Sequence, residues 1–376
     1  MKMIETVLAF SALVGLSAIP AFGFQGSEDG GDPHAVFVMT NDADSNQVIA
    51  FERTPYGTLV NPRRYSTHGR GSGGKIDPLA SQGSLTLSDD GSVLLAVNAG
   101  SGTLSAFRVF GSHLALVDVV PTGGSEPNAV AQHGKLVYVL NTAGSSSVVG
   151  FQLRDGKLVR LQDSLRFLSG NGTNSASLAF SADGRHLVVT ERATNQLDVF
   201  QVLGDGRLSD VTANASVGPG AFAVTFTKNF AIVAETGPGA PNSSAMSSYS
   251  IGSDNKSSPI SASVPTLGTA NCWNVVTPDG RFVYASNSGS SSISGFQIGT
   301  GGALIPIPGT VVGINPSGST NLDITISSDG AYLYSLNAAS GAIGIFAIRA
   351  SDGSLTNLGV VSGLPAGAGL NGIAAN

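Results

Sequence analysis

Two glutamates stand where a recurring pattern otherwise places asparagine. Short apolar strands end in Asn41, Asn98, Asn141, Glu191, Glu235, Asn287 and Asn337, spaced 43 to 57 residues apart. Glu191 and Glu235 set carboxylates in adjacent repeats, and two carboxylates in a partly desolvated cleft can separate their pKa values and divide general base from general acid. Arg192 follows directly and could hold a substrate carboxylate or a developing oxyanion. The glycine-rich stretch from Asn61 to Gly83 adds His68 and Arg70, with Arg63, Arg64, Tyr65 and Lys75 beside them. A further polar set precedes the first strand of successive repeats: Gln82, Asn128, Asn174, Trp273 with Asn274, and Asn321 with Asp323. Glu191, Glu235 and Arg192 are therefore the candidate catalytic groups. His68, Arg70, Gln82, Asn128, Asn174, Trp273, Asn274 and Asp323 are the candidate substrate-binding groups.

Each also has a plainer reading. Asn at a strand end commonly bonds the backbone of the turn that follows, and its recurrence through most repeats suits architecture. A glutamate there could be a solvated charge or pair with Arg192. His34, His113, His133 and His186 fall at turns or strand edges without metal-ligand spacing, and one cysteine, Cys272, excludes a multi-thiolate site. No cofactor is expected, although carboxylate and amide oxygens around a channel could hold calcium. Gly69 to Lys75 copies the glycine and lysine spacing of a phosphate loop, but Ile76 replaces the Ser or Thr that would hold magnesium, and Asp77-Pro78 follows in place of a helix. No G-x-S-x-G supports a serine nucleophile.

These residues need a scaffold, and composition describes one of many short strands. The 376 residues include 50 glycines, only 12 % are charged, and no long amphipathic helical stretch occurs past the N-terminus. Within a repeat, a strand such as SLTLS meets Asp90-Gly91 and a second strand returns; Asp183-Gly184, Asp279-Gly280 and Asp329-Gly330 recur in place, read as two-residue hairpin turns. A third strand follows with an aromatic at a fixed position, as in TLSAFRV, SVVGFQL, QLDVFQV, SISGFQI and AIGIFAI. A second turn, such as Asp205-Gly206 or Asp352-Gly353, leads to a fourth strand. Seven such units predict an all-β, seven-bladed propeller of four-stranded antiparallel blades. The chain starts at a second strand, while Asn371-Gly372-Ile373-Ala374 repeats the blade opening Asn128-Ala129-Val130-Ala131. The two ends should therefore share one blade and close the ring. In such blades the loop into the first strand and the loop between the second and third open on one face, where the polar sets converge. The Asn61 to Gly83 insertion belongs to that face, as a lid or binding loop.

Met1-Lys2-Met3, an apolar run from Val7 to Ile19, and Ala21-Phe22-Gly23 predict a signal peptide over residues 1–23. A short disordered segment over 24–34 and one propeller domain over 35–376 follow. The expected product is a secreted, extracellular or periplasmic monomer, off the membrane once the leader is removed. The net charge of −6 offers no broad basic surface, so nucleic acid is not an expected partner.

The phrases SADGRHLVVTE, TPDGRFVYASN and SSDGAYLYSLN, each with a third strand like SISGFQI and a late D-G-x-L, make the chain resemble the lactonase-type seven-bladed propeller family. That family includes bacterial-type 6-phosphogluconolactonase and the fungal carboxy-muconate lactonising enzyme. The resemblance covers essentially all of the chain past the leader, and Glu191 matches the family's Glu after the second strand of a middle blade. The family's His-Ala-Asn and Arg-His openings are replaced here by Ser81-Gln82-Gly83, Pro127-Asn128-Ala129 and Ser175-Ala176-Ser177. The resemblance implies a lactonase-like or cycloisomerase-like enzyme acting on a small lactone or sugar acid, or on an aromatic breakdown product, without a phosphate. The alternative is a non-catalytic propeller that binds a glycan or a protein partner.

Overall fold

The structure is a computed structural model that describes residues 34–376 apart from Asn171 and Asn229. The leader read over 1–23, and the following segment as far as residue 33, lie outside the described residues. Strands form seven antiparallel sheets, and among the described residues there is no α-helix. Blade 1 pairs Ile373–Ala375 with Ala35–Met39, then Gln47–Arg53 and Leu59–Ser66. Blades 2 to 7 follow in chain order, with first strands Leu85–Leu87, Ser125–His133, Ser175–Phe180, Ala221–Thr227, Asn271–Val276 and Asn321–Ile326.

The ring closes as the terminal sequences require. Val36, Phe37 and Val38 pair with Ala375, Ala374 and Ile373, and the Met39 amide donates to the Gly372 carbonyl at 3.1 Å. Among the described residues no first strand precedes Ala35, and the C-terminal strand covers its edge. The aromatic of each third strand explains its fixed place: Phe107, Phe151, Phe200, Phe296 and Phe346 are all buried in the core. Second-strand tyrosines latch one blade to the next. Tyr138 donates to Gly206 O at 2.8 Å, Tyr284 to Gly353 O at 2.7 Å, and Tyr334 of blade 7 to Gly57 O of blade 1 at 3.0 Å.

The Asp-Gly turns differ in detail from the expected two-residue hairpins. Ser88 N bonds Val93 O and Gly91 N bonds Ser88 O, which makes a four-residue loop in which only the glycine is left-handed, at φ 69°. The aspartate serves otherwise: Asp90 Oδ1 accepts from Ser88 Oγ and Ser92 N, and Asp183, Asp279 and Asp329 repeat the arrangement.

A second irregularity bears on function. In blades 3 to 7 the pairing of first and second strands slips near its start, between Pro127 and Ala129, Ser175 and Ser177, Ala221 and Val224, Asn271 and Trp273, and Asn321 and Ile324. A bulge bends the strand and re-aims its side chains. The residues inside these slips include Asn128, Phe222, Cys272 and Asp323, so the same device recurs where the strands begin at one mouth of the channel.

Candidate active site at the channel mouth

The insertion divides into three parts. Arg63, Arg64 and Tyr65 lie on the outer strand of blade 1, where Arg63 bridges to Glu52 at 2.5 Å and Tyr65 donates to Ser112 O. Residues 67–74 then cross the face between blades 1 and 2. Gly71 N donates to Asp42 O, Gly73 N to Asn41 O, and Gly100 N to Arg70 O. Gly71 sits so close that a Cβ would stand 2.2 Å from the Asn41 backbone. Glycine amides of the phosphate-loop lookalike are thus spent on backbone carbonyls.

The third part, Asp77 to Gln82, drops into the channel and plugs it. Trp273 donates its indole N–H to Ser81 O at 2.8 Å, and Ser81 Oγ donates to Asn128 O at 2.7 Å. Gln82 spans to blade 6, giving Nε2 to Asn274 O and taking the Asn274 amide on Oε1 at 2.9 Å, while its own amide donates to Ala176 O. Asp77 and Ala80 hold left-handed backbone, at φ 46° and 44°. Such strain persists where surrounding bonds over-determine it, and it concentrates at functional sites.

Above the plug lies a compact set of ionisable groups. Asn371 Nδ2 donates to Asp77 Oδ1 at 3.1 Å. Burial pushes the Asp77 carboxyl up to about 7; the Arg192 guanidinium pulls against that shift and Asp323 adds to it. Asp323 is almost fully buried and is likewise pushed up to about 7 by burial, with Ile324 and Ile373 amides donating to its two oxygens. Arg192 stacks over Phe222 at 5.8 Å, and Phe222 meets Trp273 edge-on at 5.2 Å. A cation on an aromatic face and two carboxyls titrating near neutrality form a set able to move a proton and to receive negative charge. Cys272 lies within the field of Asp77 and Arg192, but burial raises its thiol far above the usual range, which keeps it protonated and inert. Among the described residues no three His, Cys, Asp or Glu side chains gather as metal ligands.

The sequence-derived candidates fall into three groups. Gln82, Asn128, Trp273, Asn274, Asp323 and Arg192 converge on the plug or on the ionisable groups around Asp77. Asn174 is exposed and reaches the site through its backbone, its carbonyl accepting the Arg192 amide at 3.4 Å. His68 and Arg70 are exposed on the crossing between blades 1 and 2, and among the described residues neither bonds to the Asp77 set.

Glu191 and Glu235 form the third group: each is fully buried and closes a polar nest within its own blade, and they share no partner. Glu235 accepts from Gly218 N, Ser247 Oγ and Ser263 Oγ; Glu191 accepts from Ser169 Oγ and Thr194 Oγ1. Asp198 lies beside Glu191, and burial with that neighbour pushes its carboxyl up to about 7. The ring asparagines are held in the same manner. Asn98 donates to Ser105 and accepts from Thr67, and Asn287 donates to Ser292 and Ser294. Over four of these side chains lies a glycine of the linker that leads into the same blade: a Cβ on Gly69, Gly124, Gly218 or Gly268 would meet Asn98, Asn141, Glu235 or Asn287 within 2.5 Å. Strand-end side chains thus fasten the linkers that carry the mouth.

Sequence reasoning missed Asp77, Phe222 and Asn371. A signal for Asp77 was present, since it is the one acidic residue between Asn61 and Gly83.

Comparison with known proteins agrees with this architecture. The chain matches the family described as Lactonase, 7-bladed beta-propeller, over residues 44–171, 129–254 and 274–367. No curated protein sequence matches it. Among solved structures it is similar to a candidate 6-phosphogluconolactonase of Bacteroides uniformis, at 20 % identity and TM-score 0.70, covering 92 % of this chain and 100 % of that one. It is also similar to the periplasmic gluconolactonase of Pseudomonas aeruginosa, at 17 % identity and TM-score 0.65, covering 90 % and 99 %. At these identities the structural likeness speaks for the fold, while the sequence match extends over most of the seven blades: the chain belongs to the seven-bladed lactonase family of β-propellers.

Proposed function

We propose that the protein opens, or in reverse forms, a small unphosphorylated lactone at the channel mouth beside Asp77. The observation that carries this reading is the meeting of Asp77, Asp323 and Arg192 at a family-typical channel mouth. Asp77 takes a proton from water as its oxygen attacks the lactone carbonyl, and Arg192 receives the charge on the tetrahedral oxygen. When the ring C–O bond breaks, the proton on Asp77 passes to the departing alkoxide. Burial keeps Asp77 basic enough for the task, and Asp323 adds to this once it is ionised. With proton abstraction beside a carboxyl in place of water attack, the same groups would serve cyclisation. One guanidinium suits a carboxylate or an oxyanion, and the lack of further cations in this set argues against a phosphate. Export fits such a substrate, and the Pseudomonas relative is itself described as periplasmic. In this reading Glu191 and Glu235 hold the scaffold.

A panel of sugar and aromatic lactones, offered to the mature protein and to Asp77→Asn, Glu191→Gln and Glu235→Gln, tests the proposal. Loss of a general base should lower kcat/KM by about 100-fold or more in Asp77→Asn, whereas the glutamine variants should lose stability and keep their chemistry. Turnover lost only in a glutamine variant would move the base to that residue. Absence of turnover on every lactone would favour a binding propeller, a reading that the plugged channel also accommodates.

A further inference from the structure

The plug leaves the channel open on the opposite face. There the first strands of blades 2 to 5 enclose a cup of about 490 Å³, within the range of small-molecule sites. Gln82 forms its ceiling. The Gln82–Asn274 pair, steadied by Thr225 Oγ1 donating to Asn274 Oδ1, separates the cup from Asp77.

Its wall is apolar, with Leu178 and the rings of Phe180 and Phe226. Its lip is polar and rigid. Asp89 N donates to Gln132 Oε1 at 2.7 Å, and Gln132 Nε2 donates to Gly134 O at 2.6 Å. Gly134 N donates to Asp89 Oδ2 at 2.8 Å, and His133 Nδ1 stands 3.6 Å from the same oxygen. The His133 ring packs against Phe180 at 5.9 Å and so close to Gly184 that a Cβ there would stand 2.4 Å from it. The bracket therefore fixes one carboxylate oxygen of Asp89. The other, Oδ1, accepts no hydrogen bond among the described residues, and the side chain is 54 % exposed.

We infer that the cup is a second ligand site, which takes a protonated amine carrying an aromatic ring. The ring lies between Phe180 and Phe226, and the ammonium donates to Asp89 Oδ1. An anionic point fixed at the edge of an aromatic-walled cup complements that chemistry and opposes a carboxylate of the same shape. The neighbouring Arg185 does not compete for Asp89, because Asp183 holds it at 2.6 Å. The site is independent of the lactone reading.

Isothermal titration of the mature protein with phenethylammonium, its neutral counterpart phenethyl alcohol, and phenylpropionate tests the inference without any turnover. The amine should bind at least tenfold more tightly than the alcohol, and phenylpropionate should not bind. Asp89→Asn should erase the difference between amine and alcohol. Ala179→Leu, which adds a side chain in the cup wall, should abolish binding in a chain whose circular dichroism is unchanged. Equal binding of amine and alcohol, no binding of the amine at millimolar concentration, or loss of binding in Asp77→Asn with Asp89→Asn unaffected would each overturn it.

Discussion

Replacing Asp323 by asparagine should flatten the dependence of stability on pH. In the folded chain this buried carboxyl keeps its proton to about pH 7, against an ordinary value of 3.8. Between those values the unfolded chain has released a proton that the folded chain retains, so stability is full below the lower value and falls as pH rises toward the upper. At about 1.4 kcal/mol per pKa unit the loss amounts to about 4 kcal/mol, taken as a ceiling. The amide variant has no proton to lose. It should instead carry a pH-independent cost of about 1 kcal/mol, because its NH₂ cannot accept the Ile373 amide. The two stability curves must therefore cross: the variant is the weaker protein near pH 4 and the stronger near pH 8. Urea denaturation at pH 4.5, 6 and 8 measures this directly, and Asp198, whose surroundings are the same in both chains, leaves a common residual slope. Parallel curves would show that burial does not hold the proton on Asp323 in the folded protein.

Three further expectations follow from single contacts. Arg192→Met takes away the cation that holds the Asp77 carboxyl down, so the rising limb of the pH–rate profile should move to higher pH while kcat/KM falls by about 100-fold. Gly218→Ala would set a methyl 2.0 Å from Glu235 Oε2 and 2.5 Å from Ser263 Oγ, and thermal unfolding should show a loss of about 2 kcal/mol. Trp273→Phe leaves the buried Ser81 carbonyl without its donor, at about 1–3 kcal/mol, and should speed hydrogen exchange at the Gln82 amide that bonds Ala176 O; unchanged exchange would show that the indole does not hold the plug.

Blade number, blade order and ring closure were legible because each rests on local chemistry repeated along the chain. An Asp-Gly turn, an aromatic third strand and an Asn-ended second strand recur, and the terminal residues complement one another. The site was only partly legible. Topology correctly sent Gln82, Asn128, Trp273, Asn274 and Asp323 to one mouth, because every first strand begins there. It could not foresee the bulges that turn Phe222 and Asp323 inward, since a bulge depends on pairing register and leaves no period in the sequence. The insertion was expected at the mouth because it leads into a first strand, yet Arg63, Arg64, His68 and Arg70 lie on the outer strand and the crossing, and the part that enters the channel is Asp77 to Gln82. Glu191 and Glu235 illustrate the opposite limit: replacement of Asn by Glu reads as a change of function, but hydroxyls of Ser169 and Thr194 donate to Glu191, and hydroxyls of Ser247 and Ser263 with the Gly218 amide donate to Glu235. Which partners surround a strand-end side chain is a property of the folded linker and is invisible in the strand itself.

The clasp that closes the ring also completes the surroundings of two buried carboxyls. Asn371 bonds Asp77 across 294 positions and the Ile373 amide bonds Asp323 across 50, so the last-made residues finish environments begun earlier in the chain. A nascent chain that has emitted six blades and the plug still lacks the amide on Asp77 and the donor on Asp323. On the proposed reading, competence therefore waits until residues 371–375 have been synthesised and docked beside Ala35–Met39, which would make the finished ring, and no fragment of it, the active unit.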